Sequence, residues 1–277
     1  VHNTDSQATP GAVKLWESSR HSREVSRMSK VTGIDFTNRL AELHSLTNHI
    51  LLNGSGVAAG DVDGDGLCDL YFCSLDGPNV LYRNLGNWKF EDMTADAGVA
   101  CAGQYSTGAV FADIDGDGDL DLLVNSIGGG TRCFLNDGHG RFKEVTAEAG
   151  LSSRTGSMSM ALADIDGDGD LDLYVANYRT STMRDTFSMR IKVNQIEGKP
   201  VVTKVNGRPV TEPDLVGRFT INGAGVIVEN GEADALYLND GRGRFTPVSF
   251  TNGSFLDEEG KPLTSPPYDW GFVCHVP

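Results

Sequence analysis

Three nonapeptides carry residue types at a spacing that could do chemistry: Asp61 to Asp69 (DVDGDGLCD), Asp113 to Asp121 (DIDGDGDLD) and Asp164 to Asp172 (DIDGDGDLD). Each puts carboxylates at positions 1, 3, 5 and 9, a glycine (Gly66, Gly118 or Gly169) at position 6, and a backbone carbonyl at position 7. That is an oxygen-only donor set. Two unit charges ~4 Å apart at an effective dielectric near 20 interact by about 4 kcal/mol, so converging carboxylates repel one another unless a cation lies between them. Calcium takes about six to eight oxygens in flexible geometry and uses positions 1, 3, 5, 7 and 9 of such a loop, whereas magnesium keeps several waters in a strict octahedron. The expected cofactor is therefore Ca2+, about three ions. Its expected ligands are Asp61, Asp63, Asp65, the Leu67 carbonyl and Asp69, then Asp113, Asp115, Asp117, the Asp119 carbonyl and Asp121, and finally Asp164, Asp166, Asp168, the Asp170 carbonyl and Asp172. No Cys or His stands in ligand register, which sets zinc and copper aside. Position 12 is Phe72, Val124 or Val175, where a helix-loop-helix site needs Glu, so the loops are expected within hairpins. A plain Asp/Gly turn is the bland explanation of one such loop; three copies in one register favour the metal.

The charge balance points the same way. The chain of 277 residues has a formal net charge of -15, and 14 of its 38 acidic residues lie in these three segments, leaving 24 acids against 23 bases elsewhere. The acidity is a local device for holding something positive. It also argues against nucleic-acid binding, which depends on Lys and Arg neutralising phosphates. No apolar run approaches the ~18 residues a spanning helix requires. The five cysteines form no metal pattern and are odd in number, so at least one lacks an intrachain partner. The sequence starts at Val1 with no leader-like segment, as expected of a processed or truncated piece.

The elements that must position the loops follow from an internal repeat. The loops recur at spacings of 52 and 51 residues, and a second landmark recurs with them at Val80 to Asn84, Arg132 to Asn136 and Leu236 to Asn239. From first Asp to that Asn is 23 residues twice and 75 the third time, which places an insertion at about 178–232. The first repeat reads as strands at Gly56 to Gly60, Leu70 to Cys73, Val80 to Asn84 and Lys89 to Thr94, with no helix of ordinary length. The fold class expected is all-β: a β-propeller fragment of about three four-stranded blades plus the first strand of a fourth, near Asp269 to Pro277. A stack of separate hairpins is the competing arrangement. Residues 1–30 read as a linker with an outer closing strand near Arg23 to Ser26, and 31–277 as the propeller blades. Because each acidic loop joins a first strand to a second, all three are expected on one face, with the insertion on the other. The insertion itself reads as strands at Val201 to Val205, Phe219 to Asn222 and Val226 to Glu229, with a turn at Asn206-Gly207.

The segments GVAAGDVDGDGLCDLYF, GAVFADIDGDGDLDLLV and MALADIDGDGDLDLYV, with YRNLGNWKFEDMT and FLNDGHGRFKEVT downstream, resemble the FG-GAP (VCBS-type) repeats of the integrin α-chain propeller. They are closer still to bacterial relatives of the cartilage acidic protein family. The resemblance covers about Thr32 to Pro277. It implies a secreted or surface-attached protein whose calcium loops stiffen the propeller while another face binds partners. The function expected is a non-enzymatic calcium-binding module for adhesion, recognition or scaffolding, with an extracellular protein or glycan as partner, located outside the cytoplasm or in a periplasm. The alternative is a secreted enzyme acting on polysaccharide, a lyase or hydrolase, with Glu212, Asp214, Arg218 and Glu232 as the residues to inspect on the insertion's face. Histidines 44, 49 and 139 are expected to be exposed or satisfied, without a catalytic motif.

Overall fold

Leu122-Leu123-Val124 is apolar at successive positions, so a strand there must bury both of its faces. In the computed structural model, which describes residues 29–186 and 188–268, strand β6 (Asp121–Ile127) is buried along its whole length. It sits in an antiparallel sheet of order β5-β6-β7-β8, with β5 at Tyr105–Ala112, β7 at Gly130–Asn136 and β8 at Phe142–Glu144. The sheet before it has the same plan: β1 (Val57–Gly60), β2 (Asp69–Phe72), β3 (Val80–Asn84) and β4 (Phe90–Asp92). The sheet after it uses β9 (Ser157–Ala163) and β10 (Asp172–Asn177), then β16 (Ala235–Asn239) and β17 (Phe245–Val248).

These three sheets pack face to face. Leu122 and Val124 enter one core with Ala58, Tyr71 and Leu81 of the first sheet, while Leu123 enters another with Leu173 and Val175 of the third. Full burial of each such side chain contributes about 1.5–3 kcal/mol, and that is what holds one layer on the next. The first strands β1, β5 and β9 lie side by side at the inner edge. Close approach there requires small residues: a Cβ on Gly56 would lie 2.9 Å from the Gly108 Cα. Three four-stranded layers in this order are β-propeller blades, and the described residues form an open arc rather than a closed ring.

The expected strands of the first repeat are present with small shifts; the fourth is shorter than expected because Thr94 begins a helical turn, Thr94–Ala97. The outer strand near Arg23 and the fourth-blade strand near residue 269 lie outside the described residues. Between β10 and β16 the chain forms two small sheets, β11-β12-β13 (Ile191–Ile196, Lys199–Val205, Arg208–Pro209) and β14-β15 (Phe219–Ile221, Ile227–Glu229). They share a core of Val202, Val205, Leu215 and Phe219. Strand β11 carries KVNQ with most side chains exposed, so no burial pattern marked it in the sequence. The acidic loops join β1 to β2, β5 to β6 and β9 to β10, while this excursion leaves the far end of β10.

That far end also receives a segment with no counterpart in the repeats. A short helix, Glu42–Thr47, and a 3-10 turn, His49–Asn53, place Ile50 and Leu51 in a core with Leu75 of the first blade and Ile127 of the second, flanked by Met158 and Tyr178 of the third. Two side-chain hydrogen bonds fasten it: His44 Nδ1 to Asp76 Oδ1 at 2.5 Å and His49 Nδ1 to Asp185 Oδ1 at 2.7 Å.

Candidate metal centre

Each acidic loop is shaped by its own backbone. Glycines at positions 4 and 6 all take positive φ, from 73° at Gly64 to 98° at Gly169, a conformation other residues adopt with strain. The turn this creates aims N–H groups at the first carboxylate. Asp113 Oδ1 and Oδ2 accept from Gly116 and Gly118 at 2.8 and 3.0 Å, and Asp164 accepts from Gly167 and Gly169 at 2.7 and 3.1 Å. Position 5 is engaged by the N–H of position 7: Asp65 from Leu67 at 2.8 Å, Asp117 from Asp119 at 2.9 Å and Asp168 from Asp170 at 2.9 Å.

Position 9 opens the second strand and is buried. Asp69 accepts the Val62 N–H at 3.0 Å and the Asn84 N–H at 2.7 Å; Asp121 accepts from Ile114 at 3.1 Å and Asn136 at 2.8 Å; Asp172 accepts from Ile165 and Asn239, both at 2.9 Å. The same carboxylate therefore ties loop, second strand and third strand in every blade. The recurring asparagine answers with its side chain. Asn136 Nδ2 donates to the Leu120 carbonyl of its own loop at 3.0 Å and to the Val62 carbonyl of the preceding blade's loop at 2.8 Å. Asn239 repeats this, donating to Leu171 at 3.2 Å and to Ile114 at 2.8 Å. The interval of 23 residues was the only trace of this device in the sequence.

Carboxylates at positions 1, 3 and 9 converge. One oxygen from each of Asp61, Asp63 and Asp69 lies within 4.8 Å of the others, as do those of Asp113, Asp115 and Asp121 and those of Asp164, Asp166 and Asp172. Asp65, Asp117 and Asp168 at position 5 stand outside these groups. The side chains of Asp119 and Asp170 turn away, against Gly138 and Gly241 of the hairpin between the third and fourth strands. Burial, with the Asp115 and Asp117 charges added, pushes the Asp121 carboxyl up to about 7 despite its two N–H donors. Asp69 is raised by burial first and then by Asp63 and Asp65, and Asp115 by burial and then Asp117. Asp115 Oδ1 is buried with no hydrogen-bond donor. Three carboxylate oxygens this close, one of them buried with no donor in the second loop, fit a hard divalent cation; the Asp-rich groups can hold metal ions.

The residues named for a catalytic alternative are engaged in pairs or with backbone. Glu212 and Asp214 both pair with the exposed Arg208, Arg218 pairs with Glu229 at 2.7 Å, and Glu232 Oε2 accepts the Gly156 N–H at 2.7 Å.

Residues 61–124 and 121–175 match the family model of the FG-GAP-like repeat. Those two stretches, which run from the first acidic loop into the third blade, are similar to FG-GAP-like repeats. It is similar to Cartilage acidic protein 1 of Mus musculus, 29% identical over 209 residues, which is 73% of this chain and 31% of the relative. The Homo sapiens protein of the same name is 29% identical over 73% of the chain and 30% of the relative, and that of Xenopus tropicalis 27% identical over 72% and 31%. The chain spans about a third of the length of these curated relatives.

Proposed function

We propose that this chain is a non-enzymatic, calcium-binding propeller module that acts in adhesion, recognition or scaffolding outside the cytoplasm. The observation that carries the reading is the threefold recurrence of one carboxylate triangle, at positions 1, 3 and 9, in loops of matching register on one face. Asp61, Asp63 and Asp69, and their counterparts in the next two blades, would hold the ion, with the position 5 carboxylate and the carbonyls of Leu67, Asp119 and Asp170 completing the oxygen set. The bound charge offsets the burial and the neighbouring carboxylate charges that raise Asp121, so the ion stabilises the fold. Loops of this kind in extracellular modules work at about 10⁻⁴ to 10⁻³ M calcium. An exterior setting agrees with relatives named for cartilage.

Ligand recognition is assigned to the opposite end, where the segment around His49 meets the insertion. A cavity of about 570 Å³ lies there, lined by His49, Ile50, Tyr178, Met183 and Arg184 among others. Glu212, Asp214, Arg218 and Glu232 are already used in pairs and backbone contacts, which supports binding over catalysis. Thermal unfolding in calcium and then in chelator tests the metal reading. An ion at a hundred times its Kd adds about 2.7 kcal/mol, and at roughly 2–4 °C per kcal/mol for a chain of this size the midpoint should fall by several degrees on chelation. An unchanged midpoint counts against metal at these loops.

A further inference from the structure

We infer that Arg83 sets the first loop apart from the other two as a weak, charge-compensated cation site, an inference that rests on the calcium reading above. Arg83 is the third-strand residue just before the recurring asparagine; its counterparts are Leu135 and Leu238. In an antiparallel ladder, directly opposed residues point to the same side. The register pairs Leu70 with Tyr82, which sets Arg83 opposite the position 9 carboxylate of Asp69. Its guanidinium reaches the loop: Nε lies 2.6 Å from Asp63 Oδ2, and an Nη lies 3.6 Å from Asp65 Oδ2. Asp63 is one of the three converging carboxylates. Neither atom of the 2.6 Å contact has another hydrogen-bond partner, so the pair is held by charge.

Two further differences point the same way. Position 7 is Leu67 where the other loops have Asp119 and Asp170, and the hairpin residue after the asparagine is Leu85 in place of Asp137 and Asp240. The first loop therefore carries four carboxylates and one fixed cation, against five carboxylates and no arginine at the matching place in the others. An internal cation relieves the repulsion that would otherwise drive ion uptake, and it must be displaced or tolerated when a divalent ion enters. Loop one keeps its shape with less help from metal; loops two and three depend on it.

Calorimetric calcium titration of the whole chain tests this with Arg83→Leu and the reciprocal Leu135→Arg, alongside unfolding of each protein in chelator. The wild-type chain should show two equivalent tight sites and a third about tenfold or more weaker. Arg83→Leu should bring the third site to the affinity of the others while lowering the unfolding midpoint in chelator. Leu135→Arg should convert one tight site to a weak one. Three equivalent wild-type sites, or variants that titrate like wild type, would overturn the role of Arg83 and leave the calcium reading standing. Absence of calcium binding by the wild-type chain would overturn both.

Discussion

A buried carboxylate that accepts two backbone N–H groups is fixed before any ion arrives, and this is the condition of Asp69, Asp121 and Asp172. Asp121→Asn keeps one acceptor oxygen and turns an NH2 group toward a backbone donor. A buried donor left unmatched costs about 1–3 kcal/mol, so urea unfolding in calcium should show a loss of that size; an unchanged midpoint would mean the side chain does not tie loop to strands. The cysteines give a second test at this scale. Burial pushes the Cys73 and Cys133 thiols up to about 12, with the neighbouring Cys101 adding for the first and Asp121 for the second. At pH 8 they remain protonated, and thiolate is the reactive form. Among the four described cysteines, peptide mapping after mild alkylation should find label on exposed Cys68 and none on Cys73 or Cys133 until the chain is unfolded. Prompt labelling of Cys133 would contradict the packing of the second and third blades.

At the scale of the elements, the asparagine that ends each third strand is what joins one loop to the next. Asn136 reaches its own loop and the loop before it, whereas among the described residues Asn84 Nδ2 donates to Cys68 of its own blade alone, at 2.9 Å. Asn136→Ala should therefore cost about 1–3 kcal/mol and speed amide exchange in residues 61–69, while Asn84→Ala should cost less and leave neighbouring loops protected. Equal effects from the two would refute coupling between blades. Most of these elements were legible from the chain alone. Leu122 to Val124 announces a doubly buried strand, and the Asp and Gly positions announce the turns. What escaped was long-range. Nothing in the type of residue 136 says that its amide reaches Val62, 74 positions away, and Arg83 reads as an ordinary strand residue until the register sets it beside Asp63. The carboxylates at position 5 were expected among the ligands; they accept the N–H of position 7 and are not among the three that converge within 4.8 Å.

For the molecule as a whole, the three blades are held by layered cores between neighbours and by the segment around Ile50 and Leu51, which touches all three. No apolar pattern announced it: the helix Glu42–Thr47 buries no side chain and is held by the His44 contact with Asp76 and by the neighbouring turn. Leu51 is 2% exposed, and removing such a side chain leaves a cavity worth about 2–5 kcal/mol. Leu51→Ala should lower the global unfolding free energy by that amount. A loss limited to proteolysis of residues 38–53, with the blades as stable as before, would show that the segment decorates the arc and does not brace it.

The central claim is that one divalent ion sits in each carboxylate triangle. An anomalous difference map from crystals grown in calcium addresses it directly. It should show peaks within bonding distance of Asp61, Asp63 and Asp69, of Asp113, Asp115 and Asp121, and of Asp164, Asp166 and Asp172, with the first peak weakest. Well-ordered loops without anomalous density at any of the three would contradict it.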